Sequence, residues 1–248
     1  MKNNFKRFDT HDYEFNPSSQ YGVYIIHGFS STTYETKALA KFLGDQGYHT
    51  ITKNLPGHGV TPEDCNNVKY QDWQYSIKQD IAQLASNSKK IYIIGCSMGG
   101  TLALYASSIF PVNACVVGGT VLKFKNPFTI NFTNRLFCQI IKLKTKRSGN
   151  KNIKFYGYTK YPLIALNEFR KMNLFVMKKL HNVKCPTLII HSKGDRLSIR
   201  ENVKIIYNNI SSNIKTRLWV NHAHHNLFDT SPDQKIIFNK ILDFIKNS

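Results

Sequence analysis

The stretch Ile91-Tyr92-Ile93-Ile94-Gly95-Cys96-Ser97-Met98-Gly99-Gly100 decides how this chain is read. Its first half is an apolar run rich in β-branched residues, which favour an extended, buried strand. Its second half spells G-x-S-x-G and leads into Thr101-Leu102-Ala103-Leu104-Tyr105-Ala106, a helical pattern. Strand, glycine-flanked serine and helix in that order match a nucleophile elbow, a sharp turn that exposes a serine hydroxyl at a helix N-terminus. The glycines are required because the backbone folds tightly there and neighbouring chain passes close.

Outward from this turn, short apolar strands alternate with amphipathic helices. Strands are expected over Tyr21 to Ile26, His49 to Asn54, Lys90 to Gly95, Ala114 to Gly119, Thr187 to His191 and Lys215 to Val220. Helices are expected over Thr33 to Gly47, Asp72 to Ser86 and Lys235 to Ile245; Trp73, Ile77, Ile81 and Leu84 carry the helical spacing of the second. Such alternation implies a mostly parallel central sheet covered by helices on both faces, with right-handed crossovers. A short antiparallel strand near Tyr13-Glu14-Phe15 is expected to start the sheet. Between Leu122 and Val183 the alternation breaks. A basic stretch there is followed by Tyr156-Gly157-Tyr158 and a helical run from Pro162 to Leu180. The expected organisation is therefore a core of 1–121 and 184–248, with 122–183 inserted as a cap or lid over the serine.

The chain has 248 residues, long enough for one large α/β domain. No apolar run approaches the about 18 residues of a membrane span, and the N-terminus lacks the apolar segment of a signal peptide. The five cysteines are scattered, odd in number and without a C-x-x-C pair, which suits a reducing compartment and a cytoplasmic location. Net charge is +19, and residues 121–160 supply +10 of it with no Asp or Glu. A charge of that size makes an anionic membrane surface a candidate partner. Nucleic acid is not expected as a partner, since no aromatic-interleaved basic repeat or recognised binding motif is present. The glycines form no G-x-G-x-x-G fingerprint, so no dinucleotide is implied, and no cofactor is expected.

A serine hydroxyl is a weak nucleophile near neutral pH and needs a general base, itself oriented by a third group. After an elbow these partners come in the order acid, then histidine. Asp195 lies in the polar turn His191-Ser192-Lys193-Gly194-Asp195-Arg196, just past a strand. The histidines follow the last strand in Asn221-His222-Ala223-His224-His225-Asn226, and one of the three is expected to be the base. They do not read as a metal site, because no Cys or carboxylate partner has matching spacing. The oxyanion donors are expected to be the backbone N–H of Met98 and that of Phe29, in the loop His27-Gly28-Phe29 after the first long strand. His27 and His58 are expected to brace loops around the pocket.

Taken together, these motifs resemble the α/β-hydrolase superfamily, and within it the small carboxylesterases and monoacylglycerol lipases. The resemblance rests on His27-Gly28-Phe29-Ser30, Leu55-Pro56-Gly57-His58-Gly59, Gly95-Cys96-Ser97-Met98-Gly99-Gly100, Cys185-Pro186-Thr187-Leu188-Ile189-Ile190-His191 with Asp195, and Ala223-His224. It implies the α/β-hydrolase fold with a small lid, and cleavage of carboxylic esters with apolar acyl chains. Ser97 would be the nucleophile, Asp195 the orienting acid, His224 the base, and Phe29 and Met98 the oxyanion hole. Counting from the strand 215–220 and back from Asp229 favours His224, with His225 as runner-up. The family usually has Gly directly before a single catalytic histidine, whereas this chain has His222-Ala223-His224-His225. A thioesterase, lactonase or peptidase would use the same triad. The alternative from another class is a cationic interaction protein with a relic hydrolase core.

Overall fold

The computed structural model describes residues 7–146, 157–229 and 231–248. β1 (Tyr13–Phe15) and β2 (Tyr21–Ile26) open the chain. A 3-10 turn (Thr33–Glu35), α1 (Lys37–Asp45) and β3 (His49–Thr52) follow. Next come α2 (Pro62–Asn66), α3 (Tyr70–Ser86), β4 (Lys90–Cys96), α4 (Met98–Ser107) and β5 (Ala114–Gly118). After β5 the chain forms a π-helical turn (Thr129–Asn134), α5 (Arg135–Phe137) and the antiparallel pair β6 (Leu143–Thr145) and β7 (Lys160–Pro162). The long helix α6 (Leu163–Met177) leads back to β8 (Thr187–Ser192). Then α7 (Glu201–Asn209), β9 (Lys215–Val220) and α8 (Gln234–Lys246) close the chain.

The main sheet has the order β1-β3-β2-β4-β5-β8-β9, with β1 antiparallel to β3 and every other pair parallel. From β2 the chain steps to β3 on one side, then to β4 on the other. The strand order therefore reverses beside β2 and β4, and crevices for ligands open at the carboxyl ends of strands at such a reversal.

Strand alternation builds two cores, one on each face of the sheet. Tyr24, Ile26, Ile93, Cys115, Val117 and Ile189 face α3, α4 and α6. Val23, Ile25, Tyr92, Ile94, Val116, Leu188 and Ile190 face α1 and α8. Because both faces are covered, the inner strands are apolar at nearly every position rather than at every second one. Helix α4, which follows the serine, is buried along its whole length, as expected for a helix without a polar face.

Two local features depart from the sequence expectation. The helix expected over Thr33 to Gly47 is split into the 3-10 turn Thr33–Glu35 and α1, with Thr36 at φ −115 between them. The strand from His49 ends at Thr52, since the Asn54 amide turns to donate to Asp12 Oδ1 at 2.8 Å. Helix α6, expected as a helical run from Pro162, packs Ala165, Phe169, Met172 and Val176 into the core.

Candidate active site

The elbow is built by backbone geometry. Ser97 holds φ +53 and ψ −116, in the left-handed half of conformational space that L-residues avoid. Its N–H donates to the Gly118 carbonyl at 2.8 Å, anchoring the turn to β5. A Cβ at Gly95 would collide with the Gly99 carbonyl, and a Cβ at Gly99 with the Ile26 carbonyl. Both positions therefore require glycine for close approach of backbone, as the motif implied. Cys96 is turned into the core and is 1 % exposed.

Asp195 and a histidine pair beside this turn, and the histidine is His225. Its Nδ1 lies 2.8 Å from Asp195 Oδ2, whereas His224 is exposed on the cleft wall. The structure thus moves the acid–imidazole pairing one residue beyond the position the resemblance favoured, onto the runner-up. The cause is the anchoring of the loop at Ala223. The Ala223 N–H donates to Asp233 Oδ2 at 2.7 Å, and its carbonyl accepts from the Ser192 hydroxyl. With the Ala223 side chain fully buried, the next residue faces outward and the one after it returns to Asp195.

The pair is electrostatically matched. Burial would raise the Asp195 pKa, but the hydrogen bond and charge of His225, with the Leu197 and Ser198 amides, hold it below the ordinary value. Those amides donate to Oδ1 at 2.8 and 2.9 Å, so both carboxylate oxygens are occupied. Burial lowers the His225 pKa, but the hydrogen bond and charge of Asp195, with a smaller contribution from Glu35, raise it above 6.5. An imidazole so placed has Nδ1 committed to the acid and Nε2 left for proton exchange.

The loop after β2 is held by three side chains. Leu55 N–H donates to His27 Nε2 at 3.0 Å, which leaves His27 Nδ1 to donate to the Gly28 carbonyl. Ser30 N–H donates to His58 Nε2 at 3.1 Å. Burial pulls the pKa of His27 down to about 4 and that of His58 to about 3, so both are neutral at physiological pH. They brace the loop, as expected. The third group, Glu35, was not anticipated. It is 2 % exposed, and its Oε2 accepts the Gly28 N–H at 2.8 Å. The signal was an acid within an otherwise uncharged Ser30-to-Thr36 stretch directly after the loop. With Gly28 and Ser30 engaged on either side, the Phe29 N–H donates to no acceptor among the described residues, and the same holds for Met98.

Ser97, Phe29, Glu35, His224 and His225 all line one cleft of about 1780 Å³. Its apolar wall includes Phe124, Ile130, Phe137, Ile141, Leu166 and Phe169. The Phe29 ring stacks on Phe169 at 5.6 Å. A smaller groove of about 770 Å³ between β1, α1 and α8 holds none of these groups.

Comparison with known proteins agrees with this geometry. Residues 22–137 match the family profile described as alpha/beta hydrolase fold. The chain is 28 % identical over 240 residues to a thermostable monoacylglycerol lipase of Bacillus sp. (strain H-257), covering 90 % of this chain and 89 % of the relative. It is 20 % identical over 226 residues to a carboxylesterase of Bacillus subtilis (strain 168), covering 90 % and 92 %. Among solved structures, a metagenome-derived lipolytic enzyme of the LipS and LipT study superposes with a TM-score of 0.87 at 26 % identity, over 96 % of this chain and 98 % of that one. With the elbow serine, the acid–imidazole pair and the seven-stranded sheet in place, this chain has the α/β-hydrolase fold and is similar over most of its length to esterases and monoacylglycerol lipases.

Proposed function

We propose that the protein is a serine hydrolase of carboxylic esters with apolar acyl chains, monoacylglycerol-like in class. The observation that carries this reading is the Asp195–His225 pair opening on the same cleft as the strained Ser97. Ser97 Oγ adds to the ester carbonyl while His225 Nε2 takes its proton. Asp195 holds the imidazole and stabilises its cation. The Phe29 and Met98 amides receive the oxyanion; one such donor is worth about 3–4 kcal/mol of transition-state stabilisation. His225 returns the proton to the leaving alcohol as the acyl–oxygen bond breaks. Water, deprotonated by the same imidazole, then splits the acyl-enzyme to free acid and restores the serine. Hydrolysis consumes one water per ester and needs no oxidant or reductant.

The named relatives, a lipase and a carboxylesterase, support ester chemistry, and the aromatic and aliphatic wall supports an apolar acyl chain. We assign the lid role to the insertion 122–183, chiefly to the part before α6. Turnover of a p-nitrophenyl ester is expected, with Ser97→Ala losing it by about ten-thousand-fold or more. Undiminished turnover in that variant, or failure of the wild type to label with a fluorophosphonate probe, would remove the assignment. A thioester, lactone and peptide panel run beside the ester separates the other acyl transfers that the triad permits.

The exposed edge of the insertion supports a second component, contact with an anionic membrane surface. Phe128, Phe132, Leu136 and Ile140 are 72, 56, 54 and 78 % exposed. Lys125, Arg135, Lys142 and Lys144 lie in the same segment. Each basic side chain near an anionic bilayer contributes about 1 kcal/mol. Co-sedimentation is expected with phosphatidylglycerol-containing vesicles, weakened by salt and absent with phosphatidylcholine alone. Equal binding to both would refute the electrostatic part. No helix among the described residues is long and apolar enough to cross a membrane.

A further inference from the structure

Glu35 is a buried acid that the Ser97, His225 and Asp195 chemistry leaves without a task. It ends the 3-10 turn Thr33–Glu35. The Thr32 hydroxyl caps that turn, and the Glu35 N–H donates to the Thr32 carbonyl at 3.0 Å. The turn carries the carboxylate back to the loop after β2. At the point where a Cβ on Gly28 would stand, Glu35 Oε2 and Ser97 Cβ are each 3.1 Å away. One glycine therefore separates the acid from the nucleophilic side chain. The acid also reaches the residue before the serine: burial, with the charge and hydrogen bond of Glu35, raises the Cys96 thiol pKa well above its ordinary value. A negative charge in this place opposes an oxyanion rather than receiving one. Any help it gives the reaction must come through geometry.

Two consecutive peptide planes supply that geometry. The Gly28 N–H donates to Glu35 Oε2 at 2.8 Å. The Gly28 carbonyl accepts from His27 Nδ1 at 2.8 Å and from the Ser31 N–H at 3.3 Å. In a trans peptide the N–H points opposite to the carbonyl of the residue before it. The direction of the Gly28 carbonyl thus sets the direction of the Phe29 N–H. Glycine between these planes turns with little steric penalty. Without Glu35, the plane that carries the Phe29 N–H is anchored at one end only. The neighbouring imidazole acceptors are already engaged, His27 Nε2 by the Leu55 N–H and His58 Nε2 by the Ser30 N–H. A buried Gly28 N–H deprived of Glu35 would be left unsatisfied, and the loop would shift to relieve it.

We propose that Glu35 is a positioning residue of the reaction, acting through the Gly28 amide to hold the Phe29 N–H on the oxyanion. The inference rests on the reading of Ser97 as an ester-cleaving nucleophile and assigns the acid that aligns one of its donors. A donor misplaced by about 1 Å costs on the order of a hundredfold in rate.

The test compares p-nitrophenyl butyrate with its thiono analogue, in which sulfur replaces only the carbonyl oxygen. Both release p-nitrophenol. Sulfur is the weaker acceptor, so the thiono ester draws little from the amide donors. Wild-type kcat is expected to favour the oxygen ester. In Glu35→Met, which fills the space without an acceptor, kcat on the oxygen ester is expected to fall about a hundredfold with KM within a few-fold. The thiono ester should lose far less, so the oxygen-to-thiono ratio collapses by about tenfold or more. Glu35→Gln keeps an acceptor oxygen and is expected to recover most of the ratio. Should Glu35→Met not fold, Glu35→Asp, one methylene shorter, is read by the same ratio and is expected to lower it. General damage to the fold would lower both esters alike, so an unmoved ratio in either folded variant overturns the proposal. Glu35→Gln impaired as deeply as Glu35→Met overturns it too, as does a wild type indifferent to the two esters. Each of these results leaves the Ser97 reading intact if Ser97→Ala is inactive. Turnover of neither ester by the wild type, or equal turnover in Ser97→Ala, brings down both.

Discussion

Replacing His225 with alanine is expected to lower kcat by about ten-thousand-fold, while replacing His224 leaves most of the activity in place. The two residues are adjacent in sequence but lie on opposite sides of the loop backbone. His225 Nδ1 is 2.8 Å from Asp195 Oδ2. His224 is exposed on the cleft wall. In the proposed reaction, loss of the imidazole at 225 removes both the acceptor for the serine proton and the donor to the leaving group, so acylation and deacylation fail together. Loss at 224 removes a wall contact. Steady-state hydrolysis of one p-nitrophenyl ester by the two variants decides the matter. If His224→Ala is the inactive one, the loop rearranges on substrate binding and the pairing seen here is not the reactive one.

The second large effect is on stability. Gly95→Ala is expected to destabilise the protein by about 3 kcal/mol or more and to abolish turnover. The added methyl would meet the Gly99 carbonyl, which belongs to the first turn of α4 and cannot swing aside as a side chain would. Either the elbow opens or α4 shifts against β4, and both displace Ser97. The same substitution at Gly47 is the control. There φ is +93 and nothing lies within 4 Å of the added methyl, so only local backbone strain of about 1 kcal/mol is expected. Thermal unfolding of the two variants should differ by several degrees in midpoint for a chain of this length. Equal midpoints with full activity at Gly95→Ala would show that the elbow tolerates a wider turn than its backbone implies.

Some errors of sequence reading have physical causes that can be named. The helix expected from Thr33 breaks because Thr32 and Thr36 hydroxyls bond locally: Thr32 Oγ1 accepts from Tyr34 N–H, and Thr36 Oγ1 reaches both the Thr33 carbonyl and Thr52 Oγ1. Short polar side chains compete with helix propagation in this way, and the sequence does not show which bonds win. Helix α2 escaped notice because it is five residues long, too short to display a period. Its Thr61–Asp64 capping box was the available signal. Of the insertion, the run from Pro162 was legible as a helix. That it packs against α3 and α4 follows from side chains that meet only after folding. The Tyr156 end of Tyr156-Gly157-Tyr158 lies outside the described residues.

What the linear sequence determined was everything that depends on local pattern. The runs of β-branched residues dictate strands, and their near-continuous apolarity dictates a sheet covered on both faces. The glycines at 95 and 99 dictate a turn that only a backbone without side chains can make, and the order of Ser97, Asp195 and the histidine cluster follows the chain. What only the tertiary structure decided was which of two neighbouring imidazoles turns inward, which acid holds the loop after β2, and where a lysine from a distant hairpin comes to rest. Those outcomes depend on contacts between groups far apart in the chain: Ala223 against Asp233 and Ser192, Glu35 against Gly28, and Lys146 against Ser30, 116 residues away. A one-residue step along an extended loop reverses the direction of a side chain, so an anchor made by remote residues settles a choice that spacing alone leaves open.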